Sequence, residues 1–254
     1  MTASDSSPAP AVPATRADPA SDLERRIRWP LLPAGIFLAI LAGLLVLAVL
    51  ALVAPAPPVV GLPPDPDALA ARELVGGLTP VGGSRLRFES ALIASVPDAR
   101  PLTAADAGRI ERARALIERA RARRPRDPRL AICVAHLDLA GRRYARAEAG
   151  YRGALYFGDH CPDAHVGLGV TLALEAELER DVLRARALEL QAIAQFAAVR
   201  ERDGPALAAL YDRALLLARV GREEEARRWA RAYFARDPDG PWAGRLRREL
   251  EQNP

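Results

Sequence analysis

An alanine-led helical signature occurs four times along the chain, at nearly constant intervals. The copies are Ala113…Ile117…Ala120…Pro125, Ala147…Tyr151…Ala154, Ala192…Phe196…Val199 and Ala226…Ala230…Tyr233…Pro238. Their leading alanines stand 34, 45 and 34 residues apart. A period of this length describes stacked supersecondary units, each unable to bury its apolar face alone. Composition points the same way. Half the residues are apolar but aromatics are 5%, and the apolar bulk is Ala and Leu, strong helix formers. The expected fold class is all-α.

The segments between the copies have the matching first-helix pattern. Asp163 to Leu172 places Leu168-Gly169 before a further large residue. Leu210, Ala214 and Leu217 lead into the turn Val220-Gly221-Arg222, and Leu130, Val134 and Leu137 lead into Ala140-Gly141-Arg142, one residue longer. Over residues 103–239 the chain resembles the tetratricopeptide repeat family, whose period is 34 residues. It departs at the first-helix Trp, replaced by Leu130, His165 and Leu210, and at Arg213, which occupies a usually apolar position. The resemblance implies an α-solenoid over 103–254 of about three helix pairs, a half-repeat at 103–124 lacking its first helix, and a capping helix. In that cap, Trp242, Leu246 and Leu250 share one face, and Arg245, Arg247, Arg248 and Glu249 the solvated one. Thr103 and Asp106 offer a capping box. The longer middle interval falls in Glu175–Gln191 without Gly or Pro, so it is expected to lengthen both helices of that pair. Residues 67–102 form an irregular segment, in which Asp67–Val75 suits a short helix and Arg85–Val96 either helix or strand.

Upstream, residues 1–28 are poor in large apolar side chains and read as a disordered cytoplasmic tail. Ala34 to Ala54 is a 21-residue run without a charge or a hydrogen-bonding side chain. As a helix it spans about 31 Å, close to the hydrocarbon thickness. A transmembrane anchor is therefore expected over 29–54, with Trp29 at the interface. Arg25, Arg26 and Arg28 precede it and no basic residue follows until Arg72, which puts the N-terminus inside. A cleaved signal is the weaker reading, because Pro57 would follow an Ala54-Pro55-Ala56 cut and the apolar run exceeds a signal core. Gly35, Ala39 and Gly43 share one helix face, the spacing that lets membrane helices pack closely. Six prolines over 55–66 make a semi-rigid linker.

Little chemistry is written into the rest. The 36 basic residues are all arginine, so no lysine serves a phosphate loop or a Schiff base. The net charge of +4 comes from interleaved charges, such as Glu179-Arg180-Asp181, which suit solvated helix faces rather than nucleic acid. Gly76-Gly77 and Gly82-Gly83 read as turns. His160, Cys161 and His165 are an isolated cluster without the second ligand segment a zinc site needs, and His165 is expected to bridge helices instead. Cys133 and Cys161 are offset by about 10 Å along neighbouring first helices, beyond disulfide reach, so two buried thiols are expected. No catalytic, cofactor or metal residue is assigned.

The family's first helices line a concave surface that binds peptides or partner helices. Repeat position puts Asp138, Val166, Val170, Leu174, Tyr211, Leu215 and Arg219 there, a mainly apolar set suited to a hydrophobic peptide or amphipathic helix. The expected function is a non-enzymatic scaffold or assembly factor, single-pass in the bacterial cytoplasmic membrane, its C-terminal domain periplasmic or extracellular and its partner a protein or peptide client. Three alternatives stay open: residues 67–100 fill the groove themselves; the chain is a structural module self-associating through Gly35, Ala39 and Gly43; or an enzymatic site lies in 67–102, which a polar pocket with perturbed acids would revive.

Overall fold

The computed structural model describes residues 39–46, 61–78, 84–95, 102–156, 161–200, 203 and 206–252. The chain forms two units, residues 1–55 and 56–254. In the first, residues 39–46 are helical, and Ile40, Leu41, Leu44, Leu45 and Val46 are exposed. No described helix is long and apolar enough to cross a membrane. The remainder of the expected 29–54 anchor, Gly35 included, lies outside the described residues, as do the 1–28 tail and the linker prolines before Gly61.

The second unit is helical: α1 (Pro66–Val75), α2 (Ala104–Arg123), α3 (Pro128–Ala140), α4 (Tyr144–Tyr156), α5 (Pro162–Leu178), α6 (Val182–Ala198), α7 (Ala206–Arg219), α8 (Glu223–Phe234) and α9 (Pro241–Gln252). Among the described residues there is no strand, only an isolated bridge between Glu89 and Ala94. Helices pair in sequence, α1 with α2, α3 with α4, α5 with α6 and α7 with α8. Each pair joins the next through α2–α3, α4–α5 and α6–α7, and α9 closes against α7 and α8. The all-α class holds.

Local sequence explains the helix boundaries. Pro stands in the first turn of α1, α3 and α5, where its missing N–H costs nothing. Asp65, Asp127 and Asp181 cap α1, α3 and α6, and Thr103 with Asp106 forms the expected capping box on α2. Both helices of the longer unit grow: α5 and α6 have 17 residues each, against 13 in each of α3 and α4.

The half-repeat expectation needs correction. Helix α2 does have a first-helix partner, α1, which lies upstream in sequence with residues 76–103 between them. Arginines of α2 hold it in place. Arg123 binds Asp65 and Asp67 at 2.8 Å, and Arg109 donates through Nε to the Leu74 carbonyl at 2.7 Å. Among the described residues the unit thus has four helix pairs and a cap. Glycine allows close approach both between and within pairs: a Cβ at Gly167 of α5 would sit 2.3 Å from the Tyr151 ring of α4, and one at Gly169 2.7 Å from Phe196 of α6.

Both cysteines are free and buried, as their helical offset implied. His165 Nδ1 meets Gln195 Oε1 at 2.9 Å, bridging α5 and α6. His160 lies outside the described residues.

Candidate functional site

The first helices α3, α5 and α7 form a row, and residues 84–95 lie across it. This segment is neither helix nor strand. Its shape comes from side-chain anchors: the Phe88 N–H donates to Ser95 Oγ at 2.6 Å, the Ser95 N–H to the Phe88 carbonyl at 2.7 Å, and Ser90 closes the turn on Ile93. From the cap inward, Arg85 binds Glu249 of α9 at 2.7 Å. The Arg87 N–H donates to Asp212 Oδ1 of α7 at 2.7 Å, and its guanidinium reaches Tyr233 Oη at 2.7 Å, Asp237 at 3.2 Å and Glu89 at 2.7 Å. Phe88 packs edge-on against His136 of α3, ring centres 5.1 Å apart. Leu86 and Phe88 are fully buried. Glu249, expected on the solvated face of the cap, is buried.

Of the residues assigned to an open groove, Val166, Val170, Leu174, Tyr211 and Leu215 are buried in the core that includes Leu86 and Phe88. Tyr211 packs edge-on against Trp242 and Tyr233. Arg219 is partly exposed and pairs with Glu177 and Glu189. Asp138 lies on a different face. It accepts from Arg143 Nε at 2.7 Å, and Arg114 Nε stands 3.4 Å away. The first-helix residues that meet the segment, His136 and Asp212, were missed because each is offset by a residue or more from the positions the repeat assigns.

Burial sets the protonation of this interior. It holds the His136 imidazole down at about 3 and raises the Cys133 thiol to about 12. It lifts Asp212 well above the usual carboxylate range, a rise that the Arg87 N–H opposes. Burial also raises Asp163 to about 6 against a hydrogen bond from the Gly61 N–H. These are perturbed acids of the kind sought for an enzymatic site. The space beside Asp163, His136 and Cys133 is about 10 Å³, enough for about one water.

On the opposite face of α3 lies an open cleft of about 730 Å³. Ala131, Val134, Ala135 and Asp138 recur at helical spacing as its floor, while α2 and α4 form the walls. Small residues Ala149, Gly150, Gly153 and Ala154 line the α4 wall. Arg114 and Arg121 stand on α2, Arg126 in the α2–α3 turn and Arg146 on α4. Among the described residues no group of three or more His, Cys, Asp or Glu side chains is arranged to hold a metal.

No protein-family model matches this chain, and neither curated proteins nor solved structures provide a match.

Proposed function

We propose that the chain is a single-pass, membrane-anchored tetratricopeptide-type scaffold or assembly factor. It works without catalysis on the outer side of the bacterial cytoplasmic membrane, and its partner is a protein or peptide. The observation that carries this reading is the contrast between the two faces of α3. Residues 84–95 close the first-helix row, while the α2–α3–α4 cleft of about 730 Å³ stays open, within the roughly 300–1,000 Å³ typical of ligand-holding clefts. The partner therefore binds the cleft rather than the row of Val166, Val170 and Tyr211. A space of about 10 Å³ beside the perturbed Asp163 leaves no room for a substrate and favours a binding role over an enzyme. The anchor reading is supported by the exposed apolar side chains of 39–46, and the orientation by Arg25, Arg26 and Arg28.

The test uses the full chain in bacterial cells with a photo-cross-linking residue at Gly153, and separately at Tyr211. A discrete adduct from Gly153, none but an internal link from Tyr211, and digestion of the domain by protease added to spheroplasts are expected. An intermolecular adduct from Tyr211 would return the site to the first-helix row. Protection from protease would overturn the orientation.

A second reading, self-association through the membrane helix, draws on Gly43, where a Cβ would meet nothing within 4 Å. Gly35→Leu with Gly43→Leu would abolish association if that reading holds.

A further inference from the structure

Two open features of the helical domain complement each other. The first is the cleft, whose floor of small apolar side chains ends at Asp138 and whose rim carries four arginines with Glu118 and Asp127. Arg126 and Arg146 have no carboxylate partner among the described residues, unlike Arg114, Arg121 and Arg143. Gly153 on its α4 wall is unusual for a helix interior: a Cβ there would meet nothing within 4 Å, so no packing among the described residues explains it.

The second feature is the tip of the α5–α6 hairpin. The eleven-residue excess of the middle interval lengthens this pair. At the tip Leu178, Val182 and Leu183 are 69%, 80% and 81% exposed. Three large apolar side chains clustered at one turn, with solvent on all sides, mark a contact surface better than scattered exposure would. The turn also carries charges of both signs, with Arg184 pairing Glu179 and Arg219 pairing Glu177. Glu177, Glu179, Arg180, Asp181 and Arg184 interleave with these side chains. Asp181 is exposed, caps α6 through the Leu183 and Arg184 N–H groups at Oδ1, and meets no guanidinium among the described residues.

We propose that the α5–α6 tip of one copy docks in the α2–α3–α4 cleft of a second copy. Leu178, Val182 and Leu183 fill the space over Ala131, Val134 and Gly153, and Asp181 meets Arg126 or Arg146. The tip stands exposed on the copy that carries it, so it does not fill its own cleft and the contact runs between copies. Knob and socket are different surfaces, so the contact is head-to-tail and extends into rings or rows. Confinement to a membrane raises the effective concentration of a weak contact of this size. The inference rests on reading the cleft as the binding surface and adds the identity of its occupant.

The experiment is sedimentation equilibrium of the full chain in density-matched detergent, with Leu183→Asp spoiling the knob and Gly153→Phe filling the socket. Both positions are exposed, and unchanged thermal melts check that both variants fold. The native chain is expected to gain mass with concentration beyond a dimer. Each variant alone is expected to associate at least tenfold more weakly. An equal mixture is expected to recover one-to-one dimers and nothing larger, because one intact cleft then meets one intact tip. A native chain that stays monomeric, variants that associate like the native chain, or a mixture that stays monomeric would each overturn the proposal. A Gly153 cross-link to some other protein from a monomeric chain would leave the cleft reading standing and remove this occupant. Absence of any Gly153 adduct would remove the cleft reading itself.

Discussion

The main-chain N–H of Arg87 donates to Oδ1 of Asp212 at 2.7 Å, joining residues 125 apart in sequence within a fully buried setting. This bond pins the segment 84–95 to the first-helix row. Asp212→Ala leaves a buried N–H without its acceptor and is expected to cost about 2–3 kcal/mol. Asp212→Asn keeps an acceptor for the N–H but buries an amide NH2 at the place of Oδ2, which has no partner, so it is expected to cost less than alanine without matching the native chain. Urea denaturation measures both, and hydrogen exchange at the Arg87 amide should accelerate in the alanine variant alone. Equal stability of the two variants would mean the bond does not hold the segment.

The helical pairs were legible because their signal is local. Ala147, Tyr151 and Ala154 sit on one helix face, and so do Ala192 and Phe196; a 34-residue period repeats that face. What was not legible depends on distant partners. Helix α1 is ten residues long and its match α2 follows only after the excursion 76–103, so no period announces the pair. Arg85 to Glu89 alternate polar and apolar side chains as a strand does, yet their backbone is satisfied by Ser95 and Asp212 rather than by a ladder, so alternation alone misstates the segment. Glu249 reads as a surface acid until Arg85, 164 residues away, is brought to it. The tip at Leu178–Leu183 falls in the insertion that the spacing shows, but its exposure follows from how far α5 and α6 outgrow α3 and α4.

Glycines on α4 and α5 are expected to respond in opposite directions. Gly167→Ala puts a methyl into the Tyr151 ring, which is fully buried and held at 2.7 Å from His136 Nδ1. Overpacking of this kind costs about 1–3 kcal/mol. Gly153→Ala enters open space and gains helix propensity, for about 0.5–1 kcal/mol of added stability. Thermal melts of the two variants against the native chain decide it. A neutral Gly167→Ala would mean that α4 and α5 are not so closely packed.

Asp163 gives the fold a pH dependence of definite sign. Its carboxyl is raised to about 6 by burial, whereas an unfolded chain titrates near 3.9. Between those values the folded state holds a proton that the unfolded state has released, so stability falls as pH rises through that window. Asp163→Asn keeps an acceptor for the Gly61 N–H and removes the charge. It is expected to be more stable than the native chain by about 1 kcal/mol at pH 7.5, with the difference fading toward pH 4. Denaturation midpoints at pH 4, 5.5 and 7.5 test this. A difference independent of pH would mean that Asp163 ionises in the fold without penalty.

The turns after α3 and α7 share one hydrogen-bond pattern, and a residue exchange follows from it. After α7, the Arg222 N–H reaches the Leu217 carbonyl and the Gly221 N–H that of Ala218, with Gly221 at φ +70°. After α3, the Arg143 N–H reaches the Asp138 carbonyl and the Arg142 N–H that of Leu139, with Arg142 at φ 58°. Both are the left-handed helix terminus that favours glycine, yet Gly141 stands one position early, at φ −77°. The extra residue in this turn thus moves the left-handed position onto an arginine, at a cost in backbone energy. Arg142→Gly is expected to stabilise the domain by about 0.5–1 kcal/mol, while Gly221→Arg is expected to destabilise it by at least as much. A melting temperature lowered by Arg142→Gly would mean that the arginine side chain contributes more than its backbone costs, and that the two turns are not equivalent.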